Sequence, residues 1–286
     1  MSRNNEARTG ATPAADTPPE QMLSTAAEES PSPMQFTTPT EFVDLPSRGR
    51  FYSEDSTLHG KESIEIRYMT AKDEDILTSK SLLKKGLAID RLLQNILVDK
   101  TIRLSDMLIG DKNALVVAAR ISGYGSEYNT KVTCPACSLV QQYEFDLDEQ
   151  EIIEGGDSLN ATPTGNGTWV VDCPKSGVKV EVRLLTGADE KWLTTTQANR
   201  KKNKLPESTA TDQLKLMIKS VNGDEKQASI NKFINSMPAQ DARFVRSAYE
   251  ELMPDIDLSQ HFDCQECGFD MDMEVPFTTD FFWPKR

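Results

Sequence analysis

The amino-acid sequence predicts an α+β fold: a mostly helical body, short antiparallel β-strands, and a four-cysteine module that joins mid-chain to the C-terminus. Three observations predict it. Apolar stripes recur at helical spacing, as at Leu92, Leu93, Ile96 and Leu97, and again at Phe244, Val245, Ala248 and Leu252. Short runs alternate apolar with polar residues, as in Ser63-Ile64-Glu65-Ile66-Arg67-Tyr68-Met69. Four of the five cysteines fall in two C-x-x-C pairs, each flanked by strand-like sequence.

Residues 1–35 hold no aromatic residue and are rich in Ala, Thr, Pro, Ser and Glu. They offer too little apolar surface to offset chain entropy and predict a disordered tail, with order beginning near Phe36. Residues 36–147 form a strand-plus-helix region. Leu45-Pro46-Ser47-Arg48-Gly49 is turn chemistry between two strands, and 63–69 is a half-buried strand. Thr70, with Asp73 three residues on, opens a helix through Lys85 that Gly86 stops. A second helix covers 88–98. A third runs from Asp111 to Gly123 and, apolar nearly all round at 115–119, is the most buried. Residues 128–147 read as strand, cysteine knuckle, strand.

Residues 148–190 begin as an acidic, Gly-rich loop to 166. A β-hairpin follows, with strands at 168–173 and 178–184 around Pro174-Lys175-Ser176-Gly177. Thr186 and Asp189 then open a helix to about Asn199. Residues 191–254 are helical, with an exposed basic loop at 200–206 and helices near 211–221, 229–236 and 239–252 that Pro254 ends. Residues 255–286 carry the second knuckle and an aromatic C-terminus.

Composition narrows the function. The chain has 286 residues, 32 Lys+Arg against 45 Asp+Glu, and a formal net charge of −13. That balance argues against broad binding to a phosphate backbone, which needs excess cations. No apolar run reaches the ~18 residues of a membrane span, and the N-terminus lacks the apolar core of a secretory signal. The expectation is a cytosolic, acidic protein that binds other proteins. The acidity is uneven: 134–157 holds seven acids and no base, and 250–280 holds ten acids and no base, while 78–133 is net basic. Such polarity suits docking on a charged partner, though solvated faces account for it equally well.

The chemistry sits in the cysteine pairs, Cys134/Cys137 and Cys264/Cys267. Val132 and Phe262 lie two residues before the first cysteine of each pair. Tyr143, Phe145 and Leu147 follow the first pair at the offsets at which Met273, Val275 and Phe277 follow the second. Two copies of a strand–knuckle–strand unit, each offering two thiolates, complete a tetrahedral site for one structural zinc per chain, as in a zinc ribbon. Iron–sulfur is disfavoured, because strands follow each pair and no ferredoxin-like cysteine run is present. Metal-free cysteines, or His261 in place of one thiolate, remain alternatives. The site would staple residues separated by the 126 between Cys137 and Cys264.

Catalytic motifs are missing: there is no G-x-x-x-x-G-K-[ST], G-x-S-x-G or H-E-x-x-H. Cys173, in a strand beside Val170 and Val171, reads as a buried inert thiol, and His59 beside Gly60 as a solvated turn residue. An enzyme with an unrecognised carboxylate pair is the weaker class. A zinc ribbon serving nucleic-acid machinery is the alternative to a protein-binding role, but both knuckles lie in the acidic stretches.

One series of segments resembles a known family. It comprises Leu45-Pro46-Ser47-Arg48-Gly49 with Tyr52, Met69-Thr70-Ala71-Lys72-Asp73-Glu74-Asp75-Ile76-Leu77, Gly110-Asp111-Lys112-Asn113-Ala114, Ala118–Gly125, and Cys134-Pro135-x-Cys137. Together with the C-terminal Phe281-Phe282-Trp283-Pro284, it resembles the baseplate hub proteins of T-even-like contractile-tailed bacteriophages. The resemblance implies a structural or assembly protein of the tail baseplate hub. Its partners would be other hub or tail proteins, with no small-molecule substrate and no membrane. It would be found in the host cytoplasm during assembly and in the virion tail, and no catalytic residue is carried over. The aromatic end, Phe277, Phe281, Phe282 and Trp283, is the expected docking element for another hub protein, unless these rings fold back onto the chain's own core.

Overall fold

The computed structural model describes residues 37–277 and 281–283. The expected disordered tail, 1–35, lies outside the described residues. In chain order the elements begin with β1 (Thr40–Asp44), β2 (Ser63–Arg67), α1 (Ala71–Thr78), α2 (Lys80–Lys84), α3 (Ala88–Ile96) and α4 (Ile109–Tyr124). Then come β3 (Glu127–Thr133), β4 (Val140–Asp146), β5 (Glu151–Ile153), β6 (Ala161–Pro163), β7 (Thr168–Asp172) and β8 (Lys179–Arg183). The last group is α5 (Gly187–Lys202), α6 (Thr209–Met217), β9 (Ile218–Val221), α7 (Gln227–Ser236), α8 (Ala239–Leu252), β10 (Asp255–Asp257), β11 (Ser259–Asp263) and β12 (Asp270–Glu274). Strands pair antiparallel in four two-stranded sheets and one four-stranded sheet of order β6-β7-β8-β9. One hydrophobic cluster runs from Val43 to Phe282.

The mixed α and antiparallel β class is as expected, with more strand than a mostly helical body. The helix expected over 70–85 breaks at Ser79, whose ψ of 107° is extended. Thr78 and Ser79 are poor helix formers, and the Thr78 hydroxyl bonds back to the Glu74 carbonyl. Gly86 does stop α2: its N–H reaches the Leu83 carbonyl and the Leu87 N–H that of Leu82, a Schellman closure. Gly123 does not end α4. It sits inside the helix, where a Cβ would come 2.7 Å from the Met69 sulfur, and Gly125 at φ +84° makes the stop. The 148–166 loop contains β5, paired with the distant β10, and β6, paired with the next strand, β7. The basic run 200–206 begins as the last turn of α5, where cations suit the helix C-terminus. Residues 218–221, expected as helix, form β9 beside β8.

The second half of the chain repeats the first. β1–β2 and β7–β8 have one register: Val43 pairs with Ile64 as Val171 pairs with Val180, and Glu41 with Ile66 as Trp169 with Val182. Each hairpin leads into one device. Arg67 clamps the Asp73 carboxylate at 2.7 and 2.9 Å, while Asp73 accepts the Thr70 N–H at 2.8 Å. Arg183 clamps Asp189 at 2.8 Å twice, while Asp189 accepts the Thr186 N–H at 2.9 Å. Both boxes cap the next helix, α1 or α5. Further on, α3 and α6 end alike: Leu97 bridges to Ile66, and Ile218 pairs with Val182. α4 matches α8, with Asp111 and Asp241 each in the first turn and each bonded to the hairpin turn behind it: Asp111 accepts the Ser47 N–H and hydroxyl, and Asp241 the Lys175 and Ser176 N–H groups. The β3–β4 hairpin then matches β11–β12, which places one cysteine pair at the end of each copy.

Candidate metal centre

The two knuckles have the same backbone. The Cys134 N–H donates to the Leu139 carbonyl at 2.8 Å, and the Ser138 N–H returns to Cys134 at 2.9 Å. In the second, the Cys264 N–H donates to Phe269 at 2.8 Å and the Gly268 N–H to Cys264 at 3.0 Å. Closing so tight a turn needs a left-handed residue after the second cysteine, and Ser138 (φ +61°) and Gly268 (φ +66°) supply it. The flanking strands bury Tyr128, Val132 and Phe145 in one copy and Phe262 and Val275 in the other, so each knuckle projects from a hairpin anchored in the core.

The hairpins face each other and bring the four predicted thiols together. Their sulfurs all lie within 4.8 Å of one another. Cys134 Sγ is 3.8 Å from Cys267 Sγ, and Cys137 Sγ is 3.6 Å from Cys264 Sγ. These contacts exchange under the internal repeat, so a pseudo-twofold relation passes through the tetrad. A tetrahedral zinc with bonds of ~2.3 Å has sulfur–sulfur edges of about 3.8 Å, so the donor set fits that ion in number, type and spacing. The thiols are shifted unequally. Backbone N–H groups of Cys267 and Glu266 draw the Cys264 thiol down to about 6. For Cys137 the Leu139 N–H favours the thiolate, but desolvation and the neighbouring sulfurs outweigh it and push the thiol up to about 12. Four thiolates at this spacing require a cation.

Side-chain bonds lock the hairpins together. Gln141 donates to the Asp263 carbonyl at 2.9 Å and accepts the Gln265 N–H at 3.1 Å. The Tyr143 hydroxyl reaches the His261 carbonyl at 2.8 Å. Gln260 accepts the Asp146 N–H at 3.1 Å and donates to its carbonyl at 2.5 Å. His261 itself points elsewhere: its ring lies 3.4 Å from both Asp263 and Asp272, outside the tetrad, and the Asp272 contact raises its pKa. His59 is exposed, with Nδ1 2.8 Å from the Tyr52 carbonyl oxygen.

A third turn of the same form went unrecognised in the sequence. At Cys173 the N–H bonds to Val178 and the Gly177 N–H returns to Cys173, both at 2.9 Å, with Gly177 at φ +67°. Ser176 stands where the second thiol would be, and Asp241 takes the Lys175 and Ser176 N–H groups at 2.8 and 2.9 Å. This turn seats α8 rather than holding an ion. The buried Cys173 thiol is pushed up to about 11 by desolvation and by Asp241, in keeping with an inert role. The signal available was Cys-Pro-x-Ser-Gly beside Cys-Pro-x-Cys-Ser.

The aromatic end divides. Phe281 and Phe282 are 2% and 1% exposed and pack edge-to-face on each other, with Phe281 also against Tyr128. The buried Arg120 guanidinium lies 5.9 Å from the Phe281 ring. These two rings fold back into the core. Phe277 is 51% exposed and Trp283 is half-buried. Among the described residues no helix is long and apolar enough to cross a membrane.

A family model described as T4 bacteriophage base plate protein matches residues 41–283, from the first strand of the first copy to the aromatic end. No curated protein and no solved structure matches the chain.

Proposed function

Because the chain belongs to the family of T4 bacteriophage base plate proteins, we propose that it is a structural or assembly protein of the tail baseplate hub, acting through protein–protein contacts and clamped by one structural zinc. The observation that carries the zinc assignment is the tetrad. Cys134 and Cys137 from the first copy and Cys264 and Cys267 from the second would take all four positions of a tetrahedral ion. A closed four-thiolate site leaves no place for a substrate, so the ion would hold the chain rather than react. When bound it neutralises thiolate charge and ties the two hairpins at the ends of the repeats.

Its partners are other hub or tail proteins, met in the host cytoplasm during assembly and carried into the tail. The acids around both knuckles oppose a nucleic-acid role for the ribbon. Two measurements test the reading. Metal analysis of protein purified without added zinc should give one zinc per chain; a folded, metal-free protein indifferent to chelators overturns the clamp. Mass spectrometry should find the chain in purified tails or in hub assembly intermediates; absence from both overturns the hub role.

A further inference from the structure

The two copies differ at one place in a way that leaves an opening in the first. A groove of about 370 Å³ runs along β1, α4, β5 and β10. Ala118, Ile121 and Ile256 give it apolar walls, and Phe42 and Ile152, 71% and 49% exposed, stand at its edge. In the second copy, strand register puts Trp169 at the position of Glu41, and Trp169 is 2% exposed. The helix match puts Phe244 at the position of Ala114. Bulky side chains in copy two stand where copy one has a carboxylate and a methyl group.

The lining has one electrostatic sign. Its charged residues are Glu41, Asp44 and Asp148, with no lysine or arginine. Two acceptors in it, Glu41 Oε1 and Gln150 Oε1, are shielded from solvent and accept no hydrogen bond. Burial raises the Glu41 pKa, outweighing the hydrogen bonds that the Ser122 and Tyr68 hydroxyls donate to its carboxylate. A carboxylate whose charge is disfavoured by burial is stabilised in its ionised form by a nearby cation.

We propose that this groove receives a long cationic side chain, arginine or lysine, from a partner protein of the baseplate. The inference rests on the reading of the chain as a baseplate component. The aliphatic stem lies along Ala118 and Ile121, and the cationic head faces the carboxylates of Glu41, Asp44 and Asp148. A free polyamine would satisfy the acceptors but leave Phe42 and Ile152 in water, whereas a protein surface covers them.

The test uses the full chain labelled at isoleucine δ1 methyls, titrated with n-butylguanidinium and n-butylammonium, and with n-butanol and butyrate as controls. Saturable shifts of Ile121, Ile152 and Ile256, with the remote Ile102 unmoved, are expected for the two cations only. Glu41→Gln and Asp148→Asn should each weaken binding at least threefold, and Ala114→Phe, which copies Phe244, should abolish it. Retained melting temperature and methyl dispersion establish that each variant is folded. No saturable shift, an equal response to n-butanol, or unchanged affinity in folded Glu41→Gln and Asp148→Asn overturns the proposal. None of these readouts involves the phage tail, so a silent groove leaves the baseplate assignment standing.

Discussion

Replacing Cys267 by serine separates a metal clamp from four thiols that merely lie close. Cys267 is exposed, and its side chain meets little besides the other sulfurs. Without a metal, such a surface change is expected to cost no more than about 0.5 kcal/mol. With zinc, one of four bonds is lost. Structural zinc sites contribute roughly 10–16 kcal/mol of apparent binding energy, so an even quarter share is about 2.5–4 kcal/mol. A chain of this size shifts its melting temperature by about 2–4 °C per kcal/mol, which gives a drop of about 5–15 °C. The assay is a four-way comparison: wild type and Cys267→Ser, each melted with zinc and after chelation. The substitution should cost several kcal/mol with zinc and almost nothing without it. Equal cost in both states would refute the clamp, because the thiol would then matter for a reason unrelated to metal.

Gly110→Ala should destabilise by about 2 kcal/mol or more, since the new methyl would meet the Pro254 carbonyl oxygen, whereas Gly123→Ala meets only the flexible Met69 side chain and should be close to neutral; thermal melts compare the two. Phe282→Ala should cost about 3–5 kcal/mol and Phe277→Ala far less, read by denaturant titration, because the first ring is buried and the second is half in water. Asp73 and Asp189 are both held below the usual carboxylate range: desolvation opposes this, but Arg67 and Arg183 and the capping bonds outweigh it. Their folded pKa values lie below the unfolded ~3.9, so their stabilisation is full above that pH and is lost as pH falls through the depressed values. Acid-unfolding curves of Asp73→Asn and Asp189→Asn should accordingly be flatter below about pH 4 than that of the wild type.

The knuckles were legible because two C-x-x-C pairs with matching flanks at fixed offsets stand out from any packing pattern, and the structure brings Cys134, Cys137, Cys264 and Cys267 together. The helix starts at Thr70 and Thr186 were legible for the same reason, since a capping box needs its threonine and aspartate three apart. The wider repeat was hidden because packing asks only for apolar bulk. Ile64 and Ile66 became Val180 and Val182, and Leu115 became Val245, while the turn between β1 and β2 is much longer than that between β7 and β8. Polar fixtures such as Arg67 with Arg183 and Asp111 with Asp241 kept their identity, but they are few and widely spaced. Strands β5 and β9 were missed because their partners are supplied by distant parts of the chain, and three-residue strands such as β5 and β6 carry little strand signal of their own. The fate of Phe281 and Phe282 could not be read locally, because what buries them, Tyr128 and its surroundings, lies far away in sequence.

The placement of one cysteine pair at the end of each repeat has a consequence for synthesis. A ribosome adding about 5–20 residues per second makes the 126 residues between Cys137 and Cys264 in roughly 6–25 seconds. Throughout that interval the first knuckle presents only half of the tetrad. The tetrad closes only when Cys267 has left the exit tunnel. A product that stops before Cys264 therefore lacks the proposed clamp however well its first repeat folds.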